Sequence, residues 1–256
     1  MLQTVIYNGS FENFFTAVFE VYEYKFKEAD IQKEGIATAS LFTAPHMVQE
    51  DKSKAARVIK ALQQKITTLA FRNVYKTFLS EMPGIENVLL RYIQYVIHSK
   101  NSVERNFANA DVLTINQTAK KVDREKHRMK AFIRFQKTKD ELYYAIVQPD
   151  FNVLPLIISH FKERYADQRW LIYDVRRKYG LYFDRINVTE VQINFTERIT
   201  DALARQNIYD EQEDLYQSLW QTYFDNVNIK ARKNMKLHIQ HMPKRYWKYL
   251  VEKQPK

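Results

Sequence analysis

Three observations in this 256-residue sequence predict an α+β fold. Apolar residues recur at helical spacing through most of the first half, the period shortens to two near residue 131, and a basic, aromatic-rich stretch of helical pattern closes the chain. The expected architecture is a helical N-terminal half with a short sheet, antiparallel β-hairpins in the middle and a helical, basic C-terminal tail.

The first element, Thr4 to Tyr7, is β-rich and ends at the turn signal Asn8-Gly9. Ser10 can then cap a helix whose Phe11, Phe14, Phe15, Val18, Phe19 and Tyr22 form one apolar face. Ile36 to Phe42 and His46 to Gln49 read as strands broken at Pro45. Asp51 can cap a helix carrying Val58, Ile59, Leu62 and Ile66, and the pattern continues through Leu69, Ala70, Val74 and Phe78. Met82-Pro83-Gly84 interrupts it. Pro83 suits the first turn of a new helix with the stripe Ile85, Val88, Leu89, Tyr92, Ile93, Val96 and Ile97. This break separates an expected N-terminal α/β subdomain, residues 1–82, from a larger α+β domain, residues 83–256.

Asn101 to Asn109 is polar and reads as a loop, and Ile115 to Met129 reads as a basic helix. Ala131, Ile133 and Phe135 then alternate with Phe132, Arg134 and Gln136 as a strand, joined through Lys137 to Glu141 to a second β-rich run, Leu142 to Val147. Val153 to Tyr165 is a helix with Pro155 in its first turn. Trp170 to Val175 and Leu181 to Phe183 form a hairpin around Lys178-Tyr179-Gly180, and Ile186 to Ile193 adds a strand. Asp210 with Glu213 resembles a capping box ahead of the face Leu215, Tyr216, Leu219, Trp220, Tyr223 and Phe224.

Composition narrows the function. The chain has no cysteine, which excludes disulfides, Cys-ligated zinc and any iron–sulfur cluster held by this chain through thiolates. Apolar content of 45% and aromatic content of 14% oppose disorder. No basic leader region opens the sequence and no window is apolar enough for a membrane span, so a cytoplasmic protein without a membrane partner is expected. The net charge of +10 is localised. Lys120 to Lys139 holds 9 Lys/Arg against 2 acids, and Lys230 to Lys256 holds 9 against 1. The remainder has 22 basic and 27 acidic residues, a net of −5. Localised positive charge of this kind faces a polyanion, the alternative being two solvated basic surfaces.

Motifs for enzymatic chemistry are sparse. No Walker loop, Gly-x-Gly-x-x-Gly, His-Glu-x-x-His or Gly-x-Ser-x-Gly is present. His238 and His241 share a helical face but lack a third ligand and lie in a cationic segment, so neither metal nor cofactor is expected. Asp150, at a strand end, and Asp174, in LIYDVRR, are the candidate general bases; turn and ion-pair roles are the competing reading for both.

Basic residues interleaved with aromatics carry the stronger signal. In HRMKAFIRF, Arg128, Lys130 and Arg134 flank Phe132, and in a strand Lys130, Phe132 and Arg134 share a face suited to phosphate pairing and base stacking. In PKRYWKYLVEK, Lys244, Arg245 and Lys248 alternate with Tyr246, Trp247 and Tyr249, where the alternative for the aromatics is docking of the tail onto the body. Arg176 and Arg177 add a third candidate phosphate contact at a hairpin turn.

REKHRMKAFIRF, QPDFNVLPLIISHFKERYADQRWLIYDVRRKYGLYFD and MPKRYWKYLVE, spanning about Glu125 to Glu252, resemble a bacterial family described only as DNA-metabolism or DNA-repair proteins. The opening YNGSFENFFTAVFEVYE also fits it. The resemblance implies a radical S-adenosylmethionine protein as partner and kinship with chains fused to a uracil-DNA glycosylase domain. That family has no established catalytic residues to carry over, and where it often places His after Pro-Asp this chain has Phe151. A chain without cysteine would then be a DNA-binding companion, leaving radical chemistry to the partner. The alternatives are a metal-independent, glycosylase-like enzyme using Asp150 or Asp174, and a protein–protein adaptor.

Overall fold

The computed structural model describes residues 2–35, 44–192 and 239–253. The chain forms two compact units, Met1–Asp123 and Arg124–Lys256. The fold is α+β, with a three-stranded parallel sheet in the first unit and a five-stranded mixed sheet in the second.

In the first unit β1 (Leu2–Tyr7) turns through Asn8-Gly9 into α1 (Phe11–Glu23). Ser10 caps the helix, its hydroxyl accepting the Asn13 N–H at 2.9 Å. The crossover through α1 returns the chain as β2 (Glu28–Lys33), parallel to β1, and β3 (His46–Met47) pairs in parallel on the other side of β1. The β2 sequence EADIQK buries only Ile31 well, so it has no apolar alternation by which to be seen. Asp51 caps α2 (Lys52–Gln63) through the N–H groups of Ser53 and Lys54. The continuous helix expected through Phe78 is instead two, because Thr67 caps a separate α3 (Thr68–Phe78). In α4 (Ile85–His98), Gly84 is the cap residue at φ 75°, a left-handed conformation that favours glycine, and Pro83 lies ahead of the first turn rather than in it. Phe14, Phe15, Leu62, Leu89 and Ile93 are fully buried in the core of this unit. The Met82-Pro83-Gly84 break lies inside it, and the division between units, Asp123 to Arg124, falls within α5 (Ala110–Phe132).

In the second unit the strand order is β4-β5-β6-β7-β8, with β4 (Gln136–Lys137), β5 (Leu142–Val147), β6 (Arg169–Asp174), β7 (Tyr179–Phe183) and β8 (Val188–Val191). Three of the pairings are antiparallel, as hairpin signals imply. The pairing of β5 with β6 is parallel, since α6 (Leu154–Arg164) carries the chain back to the same edge. The strand expected over residues 131–136 is corrected: Ala131 and Phe132 end α5, and the strand is Gln136–Lys137. Trp170 is fully buried, with the Phe183 and Phe161 rings at 5.2 and 6.3 Å. The expected helical tail ends in short 3-10 segments, Lys244–Tyr249 and Val251–Lys253. The expected strand Ile36 to Phe42, the capping box at Asp210 and Glu213, the face from Leu215, and His238 lie outside the described residues.

Candidate functional site

The parallel register of β5 with β6 sets Val147 opposite Asp174, so the loop Gln148-Pro149-Asp150 and the turn Val175 to Lys178 leave the sheet side by side. Crevices at the carboxyl ends of parallel strands are the usual place for ligands in α/β sheets. Here a cleft of about 530 Å³ opens, lined by Gln148, Pro149, Asp150, Arg176, Lys244, Arg245 and Lys248.

Each wall has a local cause. Asp174 is fully buried, and one carboxylate oxygen accepts the N–H groups of Arg176 and Arg177 at 2.9 and 3.3 Å. Its other oxygen pairs with the Arg177 guanidinium at 2.8 Å. The turn is thereby fixed, with Lys178 in the left-handed region at φ 59°. Arg177, only 9% exposed, also donates to the carbonyls of Pro149 and Asp150, tying the turn to the loop. Arg176 is left at the cleft, its guanidinium 2.9 Å from the Asp150 carbonyl.

The tail forms the other wall. Tyr246 and Leu250 are buried and anchor it, as the docking alternative expects. In a 3-10 helix residues three apart eclipse, which brings Arg245 and Lys248 to one edge. Buried Glu125, on α5, organises this wall. Its carboxylate accepts the Tyr246 hydroxyl, the Asp150 N–H at 2.9 Å and Arg245 at 3.1 Å, with Arg128 at 3.5 Å. Burial, then the Glu125 contact, pushes the Tyr246 phenol well above the ordinary tyrosine range, so it serves as a neutral donor. Arg245 also pairs with the Asp150 carboxylate at 2.7 Å and lies 4.5 Å from the Tyr246 ring centroid. The Gln148 side-chain oxygen accepts from Lys248 at 2.7 Å and from Tyr249 at 2.9 Å.

The candidate residues therefore divide. Asp150, Arg176, Lys244, Arg245 and Lys248, remote in sequence, meet at one cleft. Asp174 and Arg177 support it from behind; their ion pair leaves Asp174 without access to a substrate proton, which corrects its reading as a base. Arg134 reaches the Ala131 carbonyl and buried Glu252, holding the tail rather than sharing a strand face with Lys130 and Phe132. Phe132, half-buried, packs on Tyr246 with centroids 5.8 Å apart, so tail docking engages that ring. Lys130 does not line the cleft; after burial, its charge and that of Arg164 lower the pKa of His160. Arg128 borders the cluster through Glu125. Trp247 is half-buried, donates to the Met242 carbonyl at 3.0 Å and lies under Lys244 and Lys253.

Glu125 and Gln148 escaped the sequence reading. Glu125 had a signal, a lone glutamate among Arg124, Lys126 and Arg128. Gln148 had none. Among the described residues no group of three His, Asp or Glu is placed to hold a metal, and no helix is long and apolar enough to cross a membrane.

No curated protein and no solved structure matches the chain. Residues 83–252, about two thirds of the sequence and every residue lining the cleft, match the family model of a domain of unknown function, DUF4130. The chain belongs to the DUF4130 family.

Proposed function

We propose that this protein binds DNA through the phosphate backbone at the cleft between the 148–150 loop, the Arg176 turn and the 3-10 tail. The observation that carries the reading is the convergence of Arg176, Lys244, Arg245 and Lys248 on one cleft that holds a single carboxylate, Asp150. Four cations against one anion within a concave surface set up a positive potential suited to phosphate. Arg176 and Arg245 are held by carbonyl and carboxylate partners, so the donors are pre-positioned. The role extends to DNA repair in the cytoplasm beside a radical S-adenosylmethionine protein. That extension is supported by the resemblance of REKHRMKAFIRF and MPKRYWKYLVE and by the lack of any cysteine to hold a cluster here.

Fluorescence anisotropy with labelled oligonucleotides across a salt series tests the binding. Affinity is expected to fall steeply with salt, and replacing Lys244 and Lys248 with Gln removes about two phosphate contacts from the slope. Salt-insensitive or absent binding refutes the reading. Pull-down with and without nuclease separates a DNA-mediated partner from the adaptor alternative.

A further inference from the structure

The cleft is concave and small, and it contains its own anion. Its volume of about 530 Å³ is that of a small-ligand site, and it opens to solvent. A site of that size accommodates one nucleotide unit more readily than the continuous convex backbone of a duplex. Its lining has four cations and one carboxylate, a net of +3. Asp150 already satisfies Arg245 at 2.7 Å while its side chain stays 47% exposed to the cleft.

An entering phosphate must therefore meet the cations against the repulsion of a carboxylate that is in place. A phosphodiester within a strand brings one negative charge. A terminal phosphomonoester brings about 1.5 to 2 negative charges at neutral pH and three acceptor oxygens. The attraction to the cations grows with ligand charge, and the donors on opposite walls, Arg176 on the turn and Lys244, Arg245 and Lys248 on the tail, can be engaged together only by a group with several free oxygens. We infer that the cleft recognises a terminal phosphomonoester, at the end of a nucleic-acid strand, in preference to the singly charged phosphodiesters of the backbone, because its net positive lining attracts the more highly charged group more strongly. The inference rests on the proposed DNA-binding reading and names the feature of DNA that the site takes.

Asp150 is suited to substitution because the fold uses its backbone: its N–H bonds Glu125 and its carbonyl accepts Arg176 and Arg177. Single-stranded oligonucleotides of one sequence, ending in 5′-phosphate, 3′-phosphate or hydroxyl, are compared by anisotropy, with a nucleoside monophosphate as competitor. The wild-type protein is expected to prefer a phosphorylated end by about tenfold, and Asp150→Asn, which removes the one carboxylate of the lining, to widen that preference. Competition by the monophosphate as effective as by the phosphorylated oligonucleotide identifies a free nucleotide as the source of the same phosphate. Equal, salt-dependent binding of all three oligonucleotides overturns the inference and leaves DNA binding intact. A preference that fails to widen in Asp150→Asn overturns the electrostatic origin of the selectivity. No binding of any oligonucleotide overturns the DNA-binding reading as well.

Discussion

The two compact units handle charge in different ways. Residues 1–123 carry 15 Lys+Arg against 13 Asp+Glu, nearly balanced, whereas residues 124–256 carry 25 against 17. In the first unit the principal buried carboxylate, Glu20, is shared by Lys54 at 3.0 Å and His46 at 2.7 Å. In the second, buried Glu125 holds Arg245, which lines an open cleft, and buried Asp174 holds Arg177, whose neighbour Arg176 lines it. Buried acids thus pair with local cations in one unit and hold the walls of a cleft in the other. A buried carboxylate amid cations is costly to desolvate and earns its place where it orients donors for something else.

The largest expected effect that probes this contrast is Glu125→Ala. It leaves the Tyr246 O–H and the Asp150 N–H without their acceptor, while Arg245 keeps its pairing with Asp150, so a loss of about 1–3 kcal/mol for each donor is expected in denaturant unfolding. A loss comparable to that of an exposed pair would show that Glu125 is not the organiser. Leu62→Ala in the first unit is expected to cost about 2–5 kcal/mol by opening a cavity at a fully buried site. Oligonucleotide affinity of the folded protein should not change, which separates a packing residue from a site residue. Ser10→Ala removes one helix cap and is expected to cost about 1 kcal/mol, also without effect on binding.

The smallest effect is one of pH. Tyr246 has its folded pKa raised above the ordinary value of 10.0, so the protonated phenol is favoured in the native state. Its contribution to stability is complete below about pH 10 and is lost as pH rises from there towards the folded pKa. Tyr246→Phe should flatten that alkaline decline in thermal melts.

Much of the fold was legible because its signals are local. The caps at Ser10 and Asp51, the α4 stripe, the 137–141 hairpin and Pro155 in the first turn of α6 each lie within one short window. The misreadings came where distant contacts decide. Residues 131–135 alternate like a strand, yet Met129 and Ile133 are buried four apart at the end of a helix. The parallel pairing of β5 with β6 depends on a crossover that no hairpin signal contains. At the site, the basic residue types were visible, but their sorting was not. Arg176 and Arg177 are adjacent in sequence, and only the turn geometry makes one line the cleft and the other pair with Asp174.

The central claim is that cations converging on this cleft bind nucleic-acid phosphate. Its most direct test is the salt dependence of oligonucleotide affinity for the wild-type protein and for Lys244→Gln/Lys248→Gln, whose side chains lie at the surface of the tail. A steep wild-type slope that falls by about two in the variant, with unfolding stability changed by less than about 0.5 kcal/mol, is the predicted result. Identical slopes for the two proteins, or no binding by either, would contradict it.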